Sequence, residues 1–202
     1  MSKIYVFDIN HFNGNKEELE KELSLEILNC VNKYKIHQDY LRSLIGWYLL
    51  KVYLLKDFSI DLSNKKILFN NMRKPYIEEK INFNITHSNN YVAVIISDGC
   101  CGIDIEMCNE ERDWNKLKDV ILTNQEKNNI KDNNGLVKYW SKKEAYFKKL
   151  GCGIDFSKLK QDINYDEVAT LRLKDLKNNE YYLSYISDDK EYTIEKILCF
   201  DK

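Results

Sequence analysis

Three short strand-like runs, residues 83–87, 92–97 and 102–107, follow one another with the turn residues Ser88-Asn89-Asn90 and Asp98-Gly99 as punctuation. Turn residues at that spacing bring successive strands side by side, so the middle of the chain is expected to form an antiparallel meander. Helical periodicity stands on both sides of it. Leu19, Leu23, Ile27 and Val31 recur at steps of four across residues 16–33, the stripe of one helix. Residues 39–55 are more apolar (Leu41, Leu44, Ile45, Tyr48, Leu49, Val52) and predict a second. A short helix is expected over 114–120. Thr123, with Glu126 three residues later, forms a capping box. A long helix over 135–150 ends at Gly151. Weaker alternation at 4–9, 66–70, 169–173, 181–186 and 192–200 predicts further strands. Each half of the chain therefore carries strands and one long helix. The expected fold class is α+β, with two similar lobes, residues 1–99 and 100–202, each an antiparallel sheet packed on its helix.

Composition narrows the function. One proline and seven glycines leave no flexible linker. The 31 basic and 32 acidic side chains nearly cancel, which argues against broad electrostatic binding to nucleic acid. No apolar run approaches the roughly 18 residues of a membrane span. Asp8, Asn10 and His11 interrupt the first apolar stretch, so no secretory signal is expected and the cytoplasm is the expected compartment. The six cysteines then read as reduced, and Cys100, Cys101 and Cys108 lack the C-x-x-C spacing of a zinc site.

The chemistry rests on two segments. In Gly102-Ile103-Asp104-Ile105-Glu106 a strand puts both carboxylates on one face. Alone, that reads equally well as a solvated acidic face. Like charges at such positions repel, however, and a bound cation removes the cost. In Trp140-Ser141-Lys142-Lys143-Glu144-Ala145-Tyr146-Phe147-Lys148 a helix sets Glu144 and Lys148 one turn apart. Alone, such a pair is usually a surface contact worth about 0.3–0.5 kcal/mol. Together, three carboxylates and a lysine suit Mg²⁺ and a diphosphate, because Mg²⁺ takes one or two protein carboxylates and completes its octahedron with phosphate oxygens and water. Lys143 falls inside the apolar stripe of Leu136, Trp140, Phe147 and Leu150. Either its amine snorkels to water, or it is held over an anionic ligand. Thr86-His87-Ser88 ends a strand with three polar side chains able to donate to phosphate oxygens, although a serine there also simply starts a turn. Arg73-Lys74-Pro75 supplies further positive charge, or is a solvated loop.

These segments together resemble the paired signature of the 4'-phosphopantetheinyl transferase superfamily. Lys74-Pro75-Tyr76, Asn84-Ile85-Thr86-His87-Ser88, Leu122-Thr123-Asn124-Gln125-Glu126 and Gly151-Cys152-Gly153-Ile154 resemble its flanking elements in the right order, with Thr86 where serine is commoner. Arg42-Ser43 resembles an Arg-(Thr/Ser) pair on its second helix. The likeness covers residues 42–154, and the two ends of the chain add little. It implies a pseudo-two-fold fold of the larger, monomeric type that activates carrier domains of nonribosomal peptide and polyketide synthases. It implies transfer of phosphopantetheine from coenzyme A to a serine of an apo acyl or peptidyl carrier protein. Asp104, Glu106 and Glu144 would hold Mg²⁺, and Glu144, Lys148 and Asp104 would be catalytic. Coenzyme A would be gripped by Lys33, Arg42, Ser43, Lys74, Thr86, His87, Lys143 and Lys148, and residues 120–130 with the end of the long helix would meet the carrier. Two alternatives use the same groups: a Mg²⁺-dependent phosphohydrolase of a small diphosphate, and a non-catalytic module that binds coenzyme A or a carrier.

Overall fold

The computed structural model describes residues 1–108, 114–153, 159–161, 163–189 and 191–197. Strand β1 (Ser2–Asp8) opens the chain. Helices α1 (Lys16–Lys21) and α2 (Leu25–Val31) lead to the long α3 (His37–Phe58). The hairpin of β2 (Leu68–Phe69) and β3 (Pro75–Tyr76) is followed by β4 (Asn82–Ser88), β5 (Tyr91–Ser97) and β6 (Cys101–Met107). Then come α4 (Trp114–Ile121), α5 (Asn124–Asn129), α6 (Asn133–Leu150), β7 (Ala169–Lys174), β8 (Glu180–Ser187) and β9 (Tyr192–Ile197). The fold is mixed α+β with largely antiparallel sheets.

Two expectations change. The single helix over 16–33 is broken, because Ser24 adopts extended backbone and its hydroxyl accepts from the Ile27 amide, capping α2. Leu19, Leu23, Ile27 and Val31 remain buried in one cluster against α3 all the same. The meander also stops after two strands. β4 and β5 pair from Asn82↔Ser97 to Ser88↔Tyr91, but the other edge of β5 is taken by β1 along its whole length. No edge is left for β6, which pairs with β8 instead. The result is a four-stranded sheet, β4-β5-β1-β9, and a three-stranded sheet, β6-β8-β7. β9 joins β1 in parallel, so the last strand returns to the first sheet across the expected 99/100 division. Helix α3 packs on β4 and β5, and α6 on β6 and β8.

The sheets meet in two ways. Ile4, Val6, Ala93 and Ile95 from one share a core cluster with Ile103, Ile105 and Leu183 from the other. Beside it, β4 and β6 run parallel without pairing their backbones. Side chains of β4 take the amides of β6: Asn84 Oδ1 accepts from Ile103 N (3.3 Å), Thr86 Oγ1 from Ile105 N (3.3 Å) and Ser88 Oγ from Met107 N (3.1 Å). Each contact spans 19 residues, so one register runs through all three. Left unmade, each buried amide would cost about 1–3 kcal/mol.

Helix α6 lies so close to β6 that a Cβ on Gly102 would sit 2.0 Å from the Ala145 carbonyl oxygen and 2.4 Å from the Lys149 amide nitrogen. The Ser141 hydroxyl ties the same surfaces together, reaching the carbonyls of Asp104 and Tyr182 at 3.3 Å each. At the other end α6 stops at Gly151, whose φ of 64° is left-handed.

Lys143 neither snorkels nor faces a ligand space. It is fully buried, and its ammonium donates to Ile121 O (2.9 Å), Leu159 O (2.6 Å) and Glu126 Oε2 (2.7 Å). All three of its protons are engaged. Glu126 closes the capping box of α5 by accepting from the Thr123 amide at 2.8 Å, and also accepts from the Tyr165 hydroxyl. The lysine in the apolar stripe therefore pins α4, α5 and the segment at Leu159 onto α6. The expected contact with coenzyme A is withdrawn on that ground.

Two stability predictions follow from these contacts. Gly102→Ala has only backbone to push against and should cost about 3 kcal/mol or more in chemical denaturation. Lys143→Met should cost about 3–5 kcal/mol by stranding the Glu126 charge, and adding Glu126→Gln should restore part of that loss in a double-mutant cycle.

Candidate active site

Strand alternation and helix pitch deliver the key groups to the junction of β4, β6 and α6. Asp104 and Glu106 project from one face of β6, while Ile103 and Ile105 turn into the core. Glu144 and Lys148 face them from α6. The Lys148 ammonium pairs with Asp104 Oδ1 at 2.6 Å, lies 3.5 Å from Glu144 Oε2, and donates to Thr86 Oγ1 at 3.3 Å. The Thr86 hydroxyl also reaches Asp104 Oδ1 at 3.2 Å. Side-chain exposure is 3% for Asp104, 12% for Glu144 and 26% for Lys148, so the cluster opens to solvent past the lysine.

The charges are not balanced. Burial, then the Asp104 carboxylate, pushes the Glu144 carboxyl up to about 8. Burial works against the Lys148 ammonium, but Asp104 and Glu144 outweigh it and hold its pKa above the usual lysine range. Asp104 Oδ2 is buried and has no hydrogen-bond partner, so one lone-pair face of the carboxylate is unused.

Glu106 Oε1 accepts from Trp140 Nε1 at 2.8 Å, which turns that oxygen toward the helix. Among the described residues no three His, Cys, Asp or Glu side chains are grouped as a metal-binding cluster. The expected trio of Asp104, Glu106 and Glu144 is thus not a closed ligand set. The unused oxygen of Asp104 beside a crowded Glu144 does fit a divalent cation bound through two carboxylates, the number Mg²⁺ commonly takes from protein.

His87 points away from Thr86 because neighbouring strand residues face opposite sides. Thr86 and Ser88 serve the junction, so the polar trio at the end of β4 is split. The His87 ring meets the edge of Tyr34 (centroids 6.0 Å apart). Burial, then the charges of Arg42 and Lys148, lowers its pKa to about 4, so it is neutral at neutral pH. Arg42 donates from Nη1 to the Asn89 carbonyl at 2.8 Å and pairs with Asp39, while its buried Nε has no partner.

Tyr34 leads into a cavity of about 630 Å³ lined by Cys30, Lys33, Tyr34, Ser43, Trp47, Phe69, Arg73 and Pro75. Lys33 lies over the Phe69 ring, 5.8 Å from its centroid. The expected ligands Lys33 and Ser43 are therefore brought together here, and His87, which meets Tyr34, feels the charges of both Arg42 and Lys148. Lys74 is engaged otherwise. Its ammonium donates to Lys148 O (2.7 Å) and Cys101 O (3.1 Å), docking the β2–β3 turn on the end of α6, and burial lowers its pKa. Tyr34, Trp47 and Phe69 were missed in the sequence, where nothing distinguishes cavity aromatics from core aromatics. Of the Gly-x-Gly-apolar run after α6, Ile154 lies outside the described residues.

Comparison with known proteins covers both halves. A model described as the 4'-phosphopantetheinyl transferase superfamily matches residues 100–196, and one described as 4'-phosphopantetheinyl transferase, N-terminal, matches residues 18–98. The 4'-phosphopantetheinyl transferase gsp of Aneurinibacillus migulanus is 30% identical over 155 residues, covering 73% of this chain and 62% of that protein. A phosphopantetheinyl transferase of a Thraustochytrium species is 23% identical over 184 residues, covering 80% of this chain and 64% of the relative. An L-aminoadipate-semialdehyde dehydrogenase-phosphopantetheinyl transferase of Candida glabrata is 27% identical, covering 89% and 76%. The chain thus spans less than two thirds of the first two relatives. Among the described residues no helix is long and apolar enough to cross a membrane. With both halves matched by models of one kind, and the signature side chains gathered at one junction, the chain belongs to the 4'-phosphopantetheinyl transferase superfamily.

Proposed function

We propose that this chain is an active 4'-phosphopantetheinyl transferase, moving the phosphopantetheine arm of coenzyme A to a serine of an apo acyl or peptidyl carrier protein. The observation that carries this reading is the convergence of Asp104, Glu144, Lys148 and Thr86 beside a cavity with aromatic walls and basic residues. The aromatics suit the adenine, the basic residues suit phosphate, and the cluster meets the diphosphate.

The serine oxygen attacks the phosphorus that carries pantetheine. A new P–O bond forms, the bond to the bridging oxygen breaks, and adenosine 3',5'-bisphosphate leaves with the bonding pair. Asp104 and Glu144 would hold Mg²⁺, with Glu106 behind them, and when bound the ion supplies positive charge to the diphosphate. Lys148 donates to phosphate oxygens and steadies the departing charge. Glu144 takes the serine proton as the general base. Positioning and electrostatics carry most of the acceleration, as is usual for phosphoryl transfer.

The two units of sheet plus long helix are read as related halves, 1–99 and 100–202, with β9 crossing back. The working form is a cytoplasmic monomer, and its partners are carrier domains of nonribosomal peptide or polyketide synthases. The carrier docks near residues 120–130, where Val120 is exposed and the half-buried Lys127 pairs with Asp119 at 2.6 Å.

The direct test incubates the pure chain with coenzyme A, Mg²⁺ and a panel of apo carrier domains, with a chelator control. Mass spectrometry reads which serine gains the arm. Release of adenosine bisphosphate without a carrier would favour the phosphohydrolase, and Mg²⁺-dependent binding of coenzyme A without turnover would favour the binding module. Asp104→Asn and Glu144→Gln should each lower kcat/KM by about a hundredfold or more while the melting temperature stays near that of the parent. Glu144 holds its proton more tightly folded than unfolded, so this group favours folding below the ordinary carboxylate range, and the contribution is lost as pH climbs through about 8. In chelator-treated protein, Glu144→Gln should therefore gain melting temperature over the parent on going from about pH 5 to about pH 9.

A further inference from the structure

The carbonyl that holds Arg42 lies on a turn pinned from the other sheet. Asn89 and Asn90 join β4 to β5, and Asn89 is left-handed with a φ of 46°. Arg42 Nη1 donates to the Asn89 carbonyl at 2.8 Å, and Nη2 to Asp39, three residues earlier on α3. With its Nε unpartnered, these two contacts set the plane of the guanidinium. The Asp39 contact stays within one helix, so it is the Asn89 carbonyl that registers Arg42 against β4. The pin is Asp175, in the loop between β7 and β8, and it is buried. Its Oδ1 accepts from the amides of Lys177 and Asn179, both at 2.9 Å. Its Oδ2 accepts from Asn179 Nδ2 (2.8 Å), from the Tyr181 hydroxyl (3.1 Å) and from Asn90 Nδ2 (2.9 Å), 85 residues away in the chain. The Tyr181 hydroxyl accepts in turn from Asn89 Nδ2 at 3.2 Å. Burial opposes the Asp175 charge, but the hydrogen bonds from Asn179, Asn90 and Tyr181 outweigh it and lower its pKa to about 2. One oxygen of this carboxylate closes its own loop, and the other reaches across to the Asn89-Asn90 turn.

We propose that Asp175 is a positioning residue for coenzyme A: it fixes the Asn89-Asn90 turn, and the Asn89 carbonyl on that turn aims the Arg42 guanidinium at the ligand. The inference rests on the transferase reading above, in which Arg42 meets a phosphate of coenzyme A. A guanidinium recognises phosphate through a planar fork, so its angle matters as much as its charge. Fixing that plane before the ligand arrives lowers the ordering cost of binding. Released from Asn89, the fork would follow Asp39 alone, a partner on its own helix. The path from Asp175 to Arg42 runs through the turn, so a change at Asp175 reaches the ligand by way of Arg42.

A double-mutant cycle read by calorimetric titration of the full chain with coenzyme A in Mg²⁺ tests this. In Asp175→Asn the two backbone amides keep the carbonyl oxygen on their side, and the new NH₂ faces Asn90 Nδ2, donor against donor. The loop is retained and the link to the turn is lost. Asp175→Asn should weaken coenzyme A about fivefold in the parent background and less than about twofold beside Arg42→Ala, while the melting temperature falls equally in both. Adding Asn90→Asp to Asp175→Asn sets a donor against an acceptor again and should return the affinity to within about twofold of the parent. Asn90→Ala cuts the same link without touching the Asp175 loop, and should repeat the Arg42-dependent loss if Asp175→Asn melts too low to titrate. Unchanged affinity in Asp175→Asn, an equal loss with and without Arg42, or no effect of Arg42→Ala overturns the assignment and leaves the transferase reading in place. A parent chain that does not bind coenzyme A sinks that reading and the inference with it.

Discussion

Everything at the site depends on how β4 lies along β6. The two strands are edges of different sheets, and no backbone ladder joins them. Asn84, Thr86 and Ser88 replace that ladder with side-chain acceptors at every second residue, matched to every second amide of β6. Such a bond set tolerates no slip, because a one-residue shift would turn apolar side chains toward the amides and strand them. It fixes Asp104 against Thr86 and leaves the far face of β4 for His87. The same register therefore organises the carboxylate cluster and the approach to the neighbouring cavity.

The second organising fact is an excess of negative charge held where water is scarce. Asp104 and Glu144 lie side by side, and the Lys148 ammonium offsets only part of their repulsion. The residue is visible as a raised Glu144 pKa and a buried Asp104 oxygen with no donor. Clusters of this kind are costly unless something cationic completes them. The contrast with Lys143 is instructive. Its charge is met by a carboxylate and two carbonyls in full burial, and it is purely architectural.

Much of this was legible in the sequence, and the failures have specific causes. The capping box at Thr123, the stop at Gly151 and the strands around Asp104 are local, set by a few neighbouring residues, and the structure has them where the pattern puts them. The break at Ser24 was missed because a serine inside a helical stripe looks the same whether it caps or merely continues. The meander failed because the sequence does not say that β1 already occupies the second edge of β5. The charges of Lys74 and Lys143 suggest ligands in the sequence, whereas their hydrogen bonds go to carbonyls far away in the chain and, for Lys143, also to the Glu126 carboxylate, which the spacing of charges does not encode.

Sequence alone determined which side chains share a face: Asp104 with Glu106 by strand alternation, Glu144 with Lys148 by helical pitch. It also determined that helix and strand alternate in an α+β chain, because periodicity is a property of the local backbone. Tertiary structure decided the rest. It chose which lysine meets the carboxylates and which is sealed in the core, divided Thr86 from His87, and closed a cavity from aromatics on separate elements. The physical reason is that burial and hydrogen-bond partnership are relations between distant segments, fixed only when the sheets and helices pack.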